Sequence, residues 1–349
     1  MRVGKYALFR TAFQCMVLVS VIVLIRPNYV HTDHDPACID SSEKKVMSVS
    51  DSLQNKVYLC GYKFWRFCEA VFSDYTCTKT EANLGTAHDI LLIGMHASCE
   101  HESNFPGRVV YVNGEPVEAQ RASRSYYLGP VGRADPKSIE FLFASMASLQ
   151  IPESFQSFTQ RPKNTGDEFL LYISRRCLLH REDTFVLFSR LGRVTSAGKC
   201  DGSTSALEKN TNDFDVIHGD GPWTEAHKLY KNYKFGLAME NTKQEGYISE
   251  KILNAFMGGT VPIYYGTEDV FKVFNRDAFI YFDAQNPEST VERVLFLLQN
   301  DSEYQRVLSQ PILAEGAYKR FFSLYGRGYL RGEIRAFLDL PRHPIEEDD

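Results

Sequence analysis

The stretch from Lys234 to Gly266 constrains the fold of this chain more than any other. Lys234–Met239 is an apolar run of strand length, followed at once by Glu240-Asn241-Thr242. After a polar loop, Tyr247-Ile248-Ser249-Glu250-Lys251 opens a helical segment, Ser249–Met257, that Gly258-Gly259 stops. Thr260–Tyr265, with Val261-Pro262-Ile263 inside it, then returns as a second strand. Strand, helix and strand in close succession make a parallel α/β crossover. In such sheets ligands bind at the carboxyl ends of the strands. A helix beginning there points its free N–H groups and dipole at the ligand, which suits an anion. Lys251 in the first turn opposes that dipole. Either it pairs with a nearby carboxylate, or it meets a bound anion. Glu250 suits the dipole, and also suits accepting hydrogen bonds from ribose hydroxyls.

The same alternation fills the rest of the chain. Val57–Cys60, Asp89–Met95, Arg108–Val112 and Tyr126–Gly129 are predicted strands, and Phe141–Leu149 is strand or helix. Residues 152–166 turn polar and proline-punctuated, as at a domain junction. Beyond them Phe169–Ile173, Arg193–Ser196 and Phe279–Phe282 are predicted strands, and His180 to Leu191 and Pro287 to Gln299 helices. Two such series predict two Rossmann-like domains facing a cleft, at 56–155 and 156–335, with an acidic tail over 336–349. The 349 residues suffice for both.

The N-terminus reads differently. Arg2, Lys5 and Arg10 precede an apolar run from Thr11 to Ile25, closed by Arg26-Pro27. This predicts a transmembrane signal anchor over 11–26, with a cytosolic tail at 1–10 and a polar stem at 27–55. The flanking charges place the remainder on the lumenal side, as in a single-pass type II membrane protein. Of eight cysteines, Cys15 lies in the span. The other seven, in an oxidising lumen, predict disulfides with one thiol left over. Asn300-Asp301-Ser302 is a glycosylation sequon compatible with that placement. The net charge of −5 gives no general field for nucleic acid.

The segment Tyr233-Lys234-Phe235, Glu240-Asn241, Tyr247-Ile248-Ser249-Glu250-Lys251, Val261-Pro262-Ile263 and Gly266 resembles the signature of the α1,3/1,4-fucosyltransferase family. Ser249 stands where the family commonly has Thr, which keeps a capping hydroxyl. Ser174 followed by Arg181 resembles the family's upstream segment, with Arg175 in place of the usual Asn. The resemblance implies a GT-B enzyme that binds GDP-fucose in its C-terminal domain. Asn241, Tyr247, Glu250 and Lys251 then fall on donor-contacting positions, Glu250 at the ribose and Lys251 at the diphosphate. Lys199 is the nearest match to a family Arg and loses its bidentate fork. Arg181 is a second cation for the diphosphate.

Val109–Val112 with Asn113-Gly114-Glu115 resembles the family's strand–Gly–Glu segment, which makes Glu115 the general base, with Glu118 as competitor. The resemblance implies inverting transfer of L-fucose to a glycan or glycoprotein acceptor in the Golgi, with an α1,3 linkage to N-acetylglucosamine expected. A transferase using another nucleotide sugar and a catalytically silent glycan-binding relative are the alternatives. Asp213-Phe214-Asp215 has the form of a metal-binding D-x-D, but its polar neighbours predict a loop. No obligatory metal is expected, and Mn²⁺ stimulates only through the diphosphate.

Overall fold

The computed structural model describes residues 54–341 except 62–63, 80–84, 95–96, 98, 101, 117–124, 131–135, 152–159, 209–213 and 218–222. The predicted anchor, the stem as far as residue 53, Cys15, Cys38 and Glu118 lie outside the described residues. Among the described residues no helix is long and apolar enough to cross a membrane.

The first half forms a sheet of six parallel strands. These are β1 (Lys56–Cys60), β2 (Thr76–Thr78), β3 (Ile90–Gly94), β4 (Arg108–Val112), β5 (Tyr126–Gly129) and β6 (Ser138–Glu140), in the order β2-β1-β3-β4-β5-β6. Helix α1 (Trp65–Val71) follows β1, and α2 (Phe143–Ser148) follows β6. The ambiguous run Phe141–Leu149 therefore resolves as a helix. All six residues of α2 are buried, so no polar face was present to reveal its period.

The second half repeats the plan. Strands β7 (Glu168–Ser174), β8 (Val194–Gly198), β9 (Phe214–Ile217), β10 (Tyr233–Met239), β11 (Val261–Tyr265) and β12 (Ile280–Tyr281) pair in parallel, in the order β12-β11-β10-β7-β8-β9. Its helices are α3 (Leu179–Ser189), α4 (Glu250–Met257), α5 (Val270–Val273), α6 (Pro287–Gln299) and α7 (Asp301–Leu308). The crossover read from residues 234–266 is present as β10, α4 and β11, with Phe235 through Met239 in register with Val261 through Tyr265.

The loop expected over Asp213-Phe214-Asp215 is corrected in part. Phe214 opens β9, and Phe214 and Asp215 pair with Val194 and Thr195. An edge strand needs apolar residues on fewer sides than a central one, so its polar flank masked it. Val194 begins β8, so Asp215 lies near the amino end of the sheet, opposite the ligand-binding edge.

A buried apolar cluster joins both sheets. It includes Phe67, Phe141 and Phe143 from the first half, and Ile248, Ile252 and Phe256 from the α4 unit. Ala144 N donates to Ile248 O at 2.9 Å. The last helix, α8 (Tyr329–Phe337), crosses back to the first half. Arg331 Nε donates to Ala70 O at 2.9 Å. Arg335, fully buried, grips Asp74 through Nη1 at 2.6 Å and Nη2 at 2.7 Å. Leu338 and Leu340 are buried too, so packing continues into the segment assigned to the tail. Three disulfides, Cys60–Cys99, Cys68–Cys77 and Cys177–Cys200, brace the two halves separately.

Candidate functional site

Glu240 directly follows strand β10, and its side chain has no exposed surface. It is held by the start of α4. Ser249 N donates to Oε1 at 2.7 Å, and Ser249 Oγ to Oε2 at 2.7 Å. Ser249 also caps α4, its Oγ accepting from Lys251 N at 3.4 Å. The Lys251 ammonium lies 2.9 Å from Ser249 Oγ, 3.4 Å from Glu240 Oε2 and 3.6 Å from Glu250 Oε1. Lys251 thus adopts the carboxylate-paired alternative of the two read from the sequence. Burial pulls its ammonium down, but Glu250 and Glu240 outweigh this and hold it above its ordinary value. Burial raises the Glu240 carboxyl, against the pull of Lys251.

A second set of bonds runs from α3 to the first sheet. Arg181, 3% exposed, donates through Nη2 to Met239 O at 2.5 Å and to Asn241 Oδ1 at 2.8 Å. Guanidinium only donates, so the Asn241 oxygen must face it and the amide nitrogen must face away. That nitrogen donates to the Tyr247 hydroxyl at 3.3 Å. The hydroxyl proton is thereby turned to Glu115 Oε2, 3.2 Å away. Every donor in Arg181–Asn241–Tyr247–Glu115 points toward the carboxylate. Burial, then Glu240 and Glu115, raise the Tyr247 hydroxyl far above its ordinary value, so it keeps its proton. Glu115 is itself placed by its N–H, which donates to Asn113 Oδ1 at 3.0 Å.

The structure therefore gathers Glu115, Arg181, Asn241, Tyr247, Glu250 and Lys251 in two bonded sets that adjoin at Glu240 and Asn241. Arg181 acts there as an internal brace. Both its Nη atoms bond protein oxygens, and its Nε is buried without a partner in the structure. Lys199 stands outside these bonds and is exposed. It sits where β8 ends beside β7, its N–H donating to Ser174 O at 2.8 Å. Gly198 makes that turn with φ of +100°, and a Cβ there would strike the Ser174 carbonyl. The Cys177–Cys200 disulfide fixes the same corner.

Sequence reasoning missed Glu240, His180 and Asp269. The signal for Glu240 was a carboxylate placed directly after an apolar strand, where burial is expected. His180 Nε2 donates to Glu240 O at 3.1 Å, and burial lowers the ring below its ordinary value, keeping it neutral. Asp269 Oδ2 accepts from Gly246 N at 2.9 Å, which pins the turn before Tyr247, where Gly246 has φ of +71°. Among the described residues no three His, Cys, Asp or Glu side chains gather as a metal site.

Residues 173–309 match the model of glycosyltransferase family 10 (fucosyltransferase), C-terminal part. The chain is 30% identical over 130 residues to the α-(1,3)-fucosyltransferase FucT of Helicobacter pylori, covering 37% of this chain and 24% of that protein. It is 34% identical over 114 residues to an α-(1,4)-fucosyltransferase of Arabidopsis thaliana, covering 31% of this chain and 28% of that protein. The matches thus span about a quarter of the length of these relatives. The fold is similar to the crystal structure of an α1,3-fucosyltransferase with GDP-fucose. The TM-score is 0.56 at 15% identity, over 84% of this chain and 93% of that one.

Proposed function

Since residues 173–309 carry the C-terminal domain of the family 10 fucosyltransferases, we propose that this chain moves L-fucose from GDP-β-L-fucose to a glycan hydroxyl. The reading is of an inverting transferase that forms an α1,3 linkage to N-acetylglucosamine. The observation that carries it is the 3.2 Å bond between Tyr247 and Glu115. It joins the carboxylate read as base to the loop read as donor site.

In this mechanism the acceptor oxygen attacks the anomeric carbon from the face opposite the diphosphate. The bond from that carbon to GDP breaks, and the acceptor proton passes to Glu115. Charge developing on the diphosphate meets the N-terminus of α4 and Lys251, which exchanges its carboxylate partners for phosphate oxygens. Lys199, exposed at the end of β8 two strands from β10, supplies a further cation. Glu250 accepts from the ribose. Arg181 orients Asn241 and Tyr247. Mn²⁺ would act on the diphosphate alone.

The proposed setting is the Golgi lumen, with 11–26 as anchor. Three disulfides among the described cysteines support an oxidising compartment. The test is incubation of the full chain with GDP-fucose and a panel of defined acceptors, with linkage analysis of products. Fucose α1,3-linked to N-acetylglucosamine is expected. An α1,4 product would overturn the linkage, and absence of GDP affinity would overturn the whole reading.

A further inference from the structure

A cavity of about 630 Å³ opens at the edge of the first sheet, outside the cluster described above. Its walls include Glu140 at the end of β6, the Lys319-Arg320-Phe321 segment, and Tyr329 and Glu333 of α8. The volume suits a small organic ligand. Register fixes its relation to the cleft. Val112 pairs with Leu128 and Leu128 with Ile139, so Glu140 lies level with Asn113. Two strand spacings, roughly 10 Å, separate them, and Asn113 holds the Glu115 backbone. Glu140, in the cavity wall, therefore lies on the same carboxyl-end edge of the sheet that carries Glu115.

The lining has the chemistry of a sugar site. Two cations, Lys319 and Arg320, balance two carboxylates, Glu140 and Glu333. A balanced set offers many donors and acceptors without the net field that selects a phosphate. Arg320 Nη2 and Glu140 Oε2 stand 3.1 Å apart, so donor and acceptor lie side by side, as adjacent hydroxyls require. Tyr329 is 37% exposed, and Lys319 Nζ stands 5.5 Å from its ring centroid. Phe321 and Leu330, buried in the core beneath, complete an apolar floor. A pyranose has the matching shape, with an apolar C–H face and a rim of hydroxyls.

We propose that this cavity binds the distal sugars of a neutral acceptor oligosaccharide whose reacting residue lies at Glu115. The inference rests on the transferase reading. The experiment measures binding of a neutral N-acetyllactosamine tetrasaccharide to the full chain with GDP present, by saturation-transfer NMR. Distal sugars receive saturation. Tyr329→Ala weakens the tetrasaccharide about three- to tenfold, the range for one aromatic contact, and leaves GDP affinity unchanged. Glu140→Gln, an isosteric change, weakens it too and carries the test if Tyr329→Ala does not fold. Phe296→Ala, which removes a ring 43% exposed elsewhere on the surface, leaves it unchanged. GDP binding with unaltered tetrasaccharide affinity in the cavity variants overturns the subsite and leaves the donor reading standing. So does a polypeptide or anionic glycan that takes these residues in place of the neutral sugar. Failure of the wild-type chain to bind GDP overturns the transferase reading and the subsite with it.

Discussion

The Tyr247 hydroxyl donates to Glu115 Oε2 at 3.2 Å, joining the turn after β4 to the loop before α4. Tyr247 is fully buried and Glu115 half-buried, so the hydroxyl is shielded from water while the carboxylate still reaches the cleft side. A hydrogen bond to a charged partner contributes about 1.5–3 kcal/mol. Tyr247→Phe is expected to lower kcat about 10- to 100-fold. A loss confined to the KM for GDP-fucose would mean that the hydroxyl serves the donor and not the carboxylate.

Glu115→Gln keeps shape and removes the proton acceptor. Turnover should fall by about 10²–10⁴, with GDP affinity by calorimetry unchanged. Near-normal turnover would remove Glu115 from the role of base.

Lys251 carries a pH signature. Its folded-state ammonium sits above the ordinary 10.5, because Glu250 and Glu240 outweigh burial. A raised base contributes stability that is complete below the unfolded value and is lost as pH climbs through the folded one. Wild type should therefore lose thermal stability above about pH 10.5 more steeply than Lys251→Met. The same variant should lose GDP affinity, and unchanged affinity would refute the diphosphate assignment.

Asp269 behaves in the opposite direction. Burial works to raise its carboxyl, but bonds from Lys272, Gly246 and Thr267 hold it below the ordinary 3.8. Its contribution is complete above that pH and is lost as pH falls through the folded value. Amide exchange should show Gly246 N–H protected at neutral pH, less protected in strong acid, and unprotected at either pH in Asp269→Ala.

Asp74→Ala leaves the buried Arg335 guanidinium without its carboxylate. Asp74 is 38% exposed, which moderates the effect to about 1–3 kcal/mol by urea unfolding. Adding Arg335→Met should recover part of the loss.

Much of the fold was legible because its central strands are apolar over most of their length. Arg108–Val112 and Tyr126–Gly129 match their predicted limits, and Tyr233–Met239 begins one residue before the predicted Lys234–Met239. The short edges β2 and β6 were not, since Thr76–Thr78 and Ser138–Glu140 are nowhere fully buried and show little pattern. Helix α8 was missed because its inner face carries Arg331 and Arg335, charges whose partners lie more than 250 positions earlier. At the candidate site, residue types at the helix start were readable from neighbours in sequence. The bond to Glu115 spans 132 positions, and no local pattern encodes it. Glu240 was passed over because its neutralising contacts come from the next element.

The return of α8 to the first sheet also orders events during synthesis. The half of the protein made first depends on side chains made last, Arg331 and Arg335 on Ala70 through Asp74. Domains of a growing chain generally fold as they emerge, but here the first half waits with the α8-binding face of α1 uncovered until residue 335 is made. The described side-chain bonds of Arg331 and Arg335 go to residues 70–74 and Pro341, none of them in the second sheet. Folding should run from the second half back to the first, and a chain truncated before Tyr329 should keep the second sheet while losing the first.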